Sequence, residues 1–368
     1  MATINDNLQT WSNYDWSQSG DEWSAGWGGT EYLWTCTILP RILPYLPLGR
    51  TLELAPGFGR WTQFLKDVAQ ELILVDLTER CIEACKARFA SAKNIRYYTN
   101  DGKSLDMIED NSLDFVFSWD SLVHVEIDVI EAYLKELAKK LKRDGVGFIH
   151  HSNLGRYCDQ NGQVLVENVA WRAGTVTAER FEEICASVGL RCIRQELINW
   201  NGLLLNDCIS VFTPQGSKYD QPNERWKNLF FGDESRRVSK IAEHYKGVEN
   251  QQVVYQAGMG EWIGRVTLAA KGRPVYIWGT GKVGIAVYYL LQELGIKASG
   301  FIDSDTRKAG QEMMNLTVAA PDEAIGGVKD IFVLIGSIAY QEEIGNRLIE
   351  MGLRSIYDFD TIPYINKP

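Results

Sequence analysis

Thr51-Leu52-Glu53-Leu54-Ala55-Pro56-Gly57-Phe58-Gly59-Arg60 is the stretch that decides how the rest of the chain is read. Residues of strand character run into two glycines and then into a helical pattern. Glycines at 57 and 59 permit a tight turn and let backbone approach a ligand closely. The helix opening behind them offers free N–H groups to a polar or anionic group. A second strand at residues 72–76 ends on Asp76, 17 residues beyond Gly59. A carboxylate there can accept hydrogen bonds from both hydroxyls of a ribose. The loop therefore asks for a nucleoside-bearing ligand.

Working outward, strands are expected at residues 51–54, 72–76, 95–98, 113–118 and 146–150, with helices at 60–68, 79–89 and 129–141. Strands separated by helices of this length imply βαβ crossovers and a mainly parallel sheet. A helix at 178–188 precedes two β-rich runs, 191–200 and 207–213, whose short link makes them an antiparallel pair at a sheet edge. The expected fold is α/β: a doubly wound, seven-stranded sheet with its last strand antiparallel, plus a second, smaller Rossmann-like domain. The expected boundaries are a Trp-rich cap at 1–50, the sheet domain at 51–213, a helical linker at 214–272 and the second domain at 273–368.

The spacing Glu53-x-x-x-Gly57-x-Gly59 resembles the first motif of class I S-adenosylmethionine-dependent methyltransferases. Asn100-Asp101-Gly102 after the third strand, Asp114-Phe115-Val116-Phe117 opening the fourth, and the antiparallel pair after residue 190 extend the resemblance. Ala55 stands where the family usually has its first glycine. The resemblance implies S-adenosylmethionine as cofactor, held by Glu53, Ala55, Gly57, Gly59, Asp76, Asp101, Gly102 and Trp119, with Asp101 and a neighbouring backbone N–H gripping adenine. Stretches such as Trp27-Gly28-Gly29 and His150-His151-Ser152-Asn153 are similar to chains of bacterial polysaccharide and natural-product clusters. That likeness implies O-methylation of a sugar, glycan or polar natural product, with carbon or nitrogen as the alternative atom.

Ligands of doubly wound sheets bind beyond the carboxyl ends of the strands. Strand four runs into Trp119-Asp120-Ser121-Leu122-Val123-His124 and strand five ends at His150-His151, so three of the four histidines share one edge. An alkyl hydroxyl attacks well only as its proton leaves, and a general base helps by roughly 10²–10⁴-fold. Histidine titrates in the useful range. His124 is the first choice as base, His151 the second and His150 the third, with Asp120 as an orienting carboxylate. Neighbours on a strand face opposite ways, so His150 and His151 should not both reach the acceptor. A satisfied core histidine is the plainer reading for each. A divalent cation on Asp120, Glu126 and His151 is a weaker alternative, and no metal is expected. Trp16, Trp23 and Trp27 of the cap, with Trp171 and Arg172 of a lid, are the expected acceptor wall.

A second glycine turn follows a strand at 274–278. Gly279-Thr280-Gly281-Lys282-Val283-Gly284 has the dinucleotide spacing, and Asp303 closes the next strand 19 residues beyond Gly284. It suits a nucleotide or nucleotide-linked substrate, a structural or oligomerising module, or NAD(P). The last would make the chain an oxidoreductase, the reading from another class.

Composition sets the outer limits. At 368 residues with 45% apolar and 23% charged content, two globular domains are expected. The net charge of -10 weighs against nucleic acid and anionic membranes as partners. No apolar run approaches the roughly 20 residues of a membrane span, and the polar N-terminus does not read as a secretory signal. Seven scattered cysteines without a CxxC pair suit a reducing cytoplasm. A small-molecule or sugar acceptor is the expected partner. A homo-oligomer is allowed but not required.

Overall fold

Helices begin where a side chain meets their first N–H groups. Thr78 accepts from Cys81 at the start of Glu79–Arg88, and Thr177 from Arg180 at the start of Ala178–Ser187. Thr3 and Asp6 form a capping box on Ile4–Asn13. Helix Ile127–Lys140 buries Val129, Ile130, Tyr133, Leu134 and Leu137, one stripe at helical spacing. That stripe packs on one face of a sheet together with Leu52, Leu54, Ile73, Val75 and Phe181. The other face is aromatic: Phe115, Phe117, Phe148, Trp27, Trp34, Trp61 and Trp119.

The computed structural model describes residues 3–168, 170–200, 202–245, 259–326 and 330–362. It divides into two units, one of Met1–Gln163, Val169–Trp200 and Leu205–Glu249, the other of Val164–Asn168, Asn201–Leu204 and Asn250–Pro368.

In the first unit the strands are β1 Leu48–Leu54, β2 Ala69–Asp76, β3 Ile95–Thr99, β4 Leu113–Ser118, β5 Leu141–Ser152, β6 Leu190–Ile198, β7 Asp207–Pro214 and β8 Glu224–Asn228. They lie in the order β3-β2-β1-β4-β5-β7-β6-β8. β1 to β5 run parallel, and β7 is antiparallel to both of its neighbours. The order reverses between β1 and β4, so the turn after β1 and the end of β4 open onto one crevice.

The expected count of seven strands is corrected to eight. β8 comes from the stretch expected as a helical linker and pairs parallel with β6. Asn228 donates to Glu196 and Glu234 at 2.7 and 2.8 Å. Arg41 clamps the same two carboxylates at 2.5 and 2.9 Å. The rest of that stretch carries helices Glu234–Tyr245 and Met259–Ala270, and its residues 246–258 lie outside the described residues.

The second unit holds β9 Val275–Trp278, β10 Ala298–Ile302, β11 Glu312–Met313, β12 Leu316–Ala319, β13 Phe332–Ile335 and β14 Phe359–Thr361, in the order β11-β12-β10-β9-β13-β14. Among the described strands of this unit β11 and β12 pair antiparallel and the other pairs are parallel. Helix Lys282–Glu293 follows β9 as the spacing required. No helix among the described residues is long and apolar enough to cross a membrane.

Candidate active site

Beyond β1, β2 and β4 lies a cavity with about 890 Å³ of space between its walls, part of it open to solvent. One end is built from the glycine turn. Ala55 takes φ +55°, the left-handed region in which the usual glycine would be at ease. Asp76 is fixed from both sides: Oδ2 accepts the Gly57 N–H at 3.1 Å, and Oδ1 accepts the Thr78 N–H at 2.8 Å and hydroxyl at 3.0 Å. Burial raises its carboxyl above the ordinary range. Ala55, Gly57, Asp76, Gly102 and Trp119 line the cavity as expected of cofactor residues.

Three other expected cofactor residues do not line it. Glu53 lies behind the turn, fully buried, with Oε2 accepting from Thr62 at 2.7 Å and Oε1 without a partner among the described residues. Burial pushes its carboxyl up to about 8. Gly59 serves packing, since a Cβ there would collide with Phe89. Asp101 is exposed and accepts the Lys103 and Ser104 N–H groups at 2.9 and 2.7 Å. The adjacent Gly102 N–H is already given to Asn100 at 3.0 Å.

The aromatic cap closes over this end. Trp16 stacks on Phe58 with centroids 4.7 Å apart, and a Cβ on Gly57 would come within 2.8 Å of its ring. Only glycine fits beneath it. Trp11, Trp16 and Trp23 pack on one another and all line the cavity. Arg80 ties the cap down, donating to the Ser12 and Tyr14 carbonyls at 2.7 and 3.2 Å. Trp27 does not line the cavity. It is buried in the core against Trp200 at 4.4 Å, which corrects its assignment to the acceptor wall.

The other end of the cavity is polar. Arg60 and Asp120 line it and pair at 2.9 Å, and Asp120 holds φ +57°, strain of a kind that clusters at functional sites. Arg172 reaches Asp120 at 3.3 Å and Asp207 at 2.7 Å. It is thus a buried structural cation, not a lid residue free for an acceptor anion. Trp171 is 68% exposed and gives the site only its carbonyl. Arg60, Trp61 and Asp207 were missed by sequence reading. Arg60 does close the quoted motif, and a buried partner for it could have been sought in Asp120.

The histidines separate cleanly. His150 accepts the Asp120 N–H on Nδ1 at 3.1 Å, so its proton sits on Nε2, facing Asp207 at 2.9 Å. With both nitrogens engaged and the ring wholly buried, His150 is structural. His151 points to the opposite face, stacked on Phe181 at 4.2 Å, with Nδ1 2.8 Å from the Ser152 carbonyl and Nε2 2.8 Å from the Ser210 hydroxyl. Burial pushes its pKa down to about 4. Its role as second-choice base is withdrawn.

His124 has Nδ1 3.1 Å from the Trp171 carbonyl, which must be accepting, so Nε2 carries the lone pair. Burial, with help from the Arg172 charge, pushes it down to about 4 and keeps it neutral. Its ring packs on Trp11 at 5.4 Å, outside the cavity wall. Asp120 makes its side-chain bonds to arginines rather than to any histidine. The residues considered for a cation do not meet, since His151 faces the other layer and Glu126 accepts from Thr175.

At the second turn, a Cβ on Gly284 would collide with the Gly279 carbonyl, whereas Gly281 faces open space. Asp303 is already engaged: Oδ2 accepts from Thr280 and, at 2.8 Å, from Lys308, and Oδ1 accepts the Asp305 N–H at 2.9 Å.

Residues 51–145 match the family model described as a methyltransferase domain. Phosphoethanolamine N-methyltransferase of Triticum aestivum is 33% identical over 117 residues, 31% of this chain and 23% of that protein. The redox-sensing transcriptional repressor Rex of Treponema denticola is 31% identical over 98 residues, 25% of this chain and 47% of that protein. The chain thus spans less than half the length of either curated relative. Among solved structures, an S-adenosylmethionine-dependent methyltransferase of Leishmania major is similar with a TM-score of 0.44 and 15% identity, over 57% of this chain and 82% of that one.

Proposed function

We propose, from the match of residues 51–145 to a methyltransferase domain, that the chain is an S-adenosylmethionine-dependent methyltransferase acting on a hydroxyl of a sugar, glycan or other polar small molecule. The observation that carries this reading is Asp76. Its carboxylate is fixed by Gly57 and Thr78 and opens into the cavity, where it can hold a ribose. When bound, this cofactor supplies a methyl group on a sulfonium, an electrophile with a neutral leaving group.

What remains for the protein is to hold the acceptor in line and to exclude water, which together supply much of the rate. The cap of Trp11, Trp16 and Trp23 does the excluding. Arg60, Asp120 and Ser121 orient the polar end. Of the three clustered histidines only His124 keeps a nitrogen lone pair without a partner among the described residues, but its ring packs against Trp11 outside the cavity wall. In this reading positioning carries the rate and no histidine is assigned as base. Free thiols at all seven cysteines support a cytoplasmic setting. Transfer to nitrogen or carbon is the second choice.

For the second unit we propose a structural or oligomerising role, supported by Asp303 bonded to Thr280, Lys308 and Asp305 and by Gly284 packed against the Gly279 carbonyl. The hydride-transfer alternative gains no support. Calorimetric titration of the full chain tests the main reading: S-adenosylhomocysteine is expected to bind in the micromolar range. Failure to bind it, with NAD binding instead, would refute the reading.

A further inference from the structure

Four residues converge at the polar end of the cavity. Arg60 pairs with Asp120 at 2.9 Å and lies over the Trp61 ring at 4.5 Å. Trp61 and Trp119 meet edge to face at 6.4 Å. All four line the cavity. The indoles are almost wholly buried, Trp61 at 3% and Trp119 at 1% exposure, and neither Nε1–H has an acceptor among the described residues. Buried donors of folded proteins nearly always find one. The Trp27 Nε1–H in the core lacks one as well, but Trp61 and Trp119 line the cavity, where an oxygen brought by a ligand is the natural partner.

The charges decide what kind of oxygen. Arg60 and Arg172 face Asp120 and Asp207, two cations against two anions. His150 adds no charge, because its Nδ1 accepts the Asp120 N–H. Asp76 also lines the cavity and is left to offset the net positive charge of the cofactor. A carboxylate or phosphate entering this end would be an unpaired buried charge, which is strongly disfavoured. An ammonium would meet two indole N–H groups and an arginine. A hydroxyl or carbonyl can accept from the indoles, and a hydroxyl can also donate to Asp120.

Resting on the methyltransferase reading above, we propose that the pocket of Arg60, Asp120, Trp61 and Trp119 is an acceptor subsite for an uncharged, oxygen-bearing group, and that it selects neutral polyols or carbonyl compounds over acids and phosphomonoesters. The two tryptophans act as specificity residues through their N–H groups, beyond their role as core.

The test is an indole ¹H–¹⁵N spectrum of the full chain saturated with S-adenosylhomocysteine. Trp61→Phe and Trp119→Phe, which keep an aromatic ring in place, identify the two signals by their loss. Methyl β-D-glucopyranoside is expected to shift both signals saturably, with inorganic phosphate and acetate at least about tenfold weaker. Anions that shift both signals as strongly as the glucoside would overturn the proposal, as would a glucoside that moves neither while S-adenosylhomocysteine is bound. Absence of any spectral change with S-adenosylhomocysteine itself would instead bring down the methyltransferase reading on which the subsite rests.

Discussion

The chain contains two turns built to one recipe, strand, glycines, helix, and a carboxylate at the end of the next strand, yet their surroundings differ. At the first, Asp76 opens into a walled cavity and accepts only from neutral donors, and the turn fits its aromatic cap only because residue 57 is glycine. At the second, Asp303 accepts the same number of hydrogen bonds as Asp76, but one of its donors is the Lys308 ammonium, and Gly284 is demanded by the Gly279 carbonyl rather than by a visitor. Spacing alone reports the local backbone. Whether a carboxylate awaits a ligand depends on neighbours distant in sequence.

The largest effect that would break this contrast is at the acids. Asp76→Ala should weaken S-adenosylhomocysteine binding roughly 100-fold, two charge-assisted hydrogen bonds at about 1.5 kcal/mol each. Asp303→Ala should leave that affinity unchanged, and calorimetry of both variants decides it. Next come the glycines. Gly57→Ala places a Cβ at φ +57° within 2.8 Å of Trp16 and should cost about tenfold in the same titration. Gly281→Ala meets open space at φ −81°, so thermal melting should be unchanged or slightly raised.

Much of the fold was legible because its elements carry their own pattern. Helix Ile127–Lys140 shows an unbroken apolar stripe, and Thr78 and Thr177 mark helix starts. β8 was not legible: Glu224-Arg225-Trp226-Lys227-Asn228 has no apolar alternation, and it is recruited by Arg41, Glu196 and Glu234 from far along the chain. In the site, Asp76 was readable from spacing, whereas Trp27 and Trp16 looked alike. The cap has no period, so nothing local says that one ring enters the core and the other covers a cavity. Strand alternation did foretell that His150 and His151 face apart, but not that both are fully bonded.

A smaller effect sharpens the histidine assignment. Burial lowers the His151 pKa from 6.5 to about 4, so the folded protein binds fewer protons than the unfolded chain between those values. The contribution to stability is complete above pH 6.5 and is lost as pH falls toward 4, on the order of 3 kcal/mol. Urea unfolding at pH 7 and pH 4.5 should show this loss, and His151→Gln should shrink the difference between the two.

A crystal structure of the full chain grown with S-adenosylhomocysteine would address the central claim without any knowledge of the acceptor. The account predicts the nucleoside beneath Trp16 with its ribose hydroxyls on Asp76. Density for the nucleoside at Gly281 and Asp303, with the space under Trp16 vacant, would contradict it.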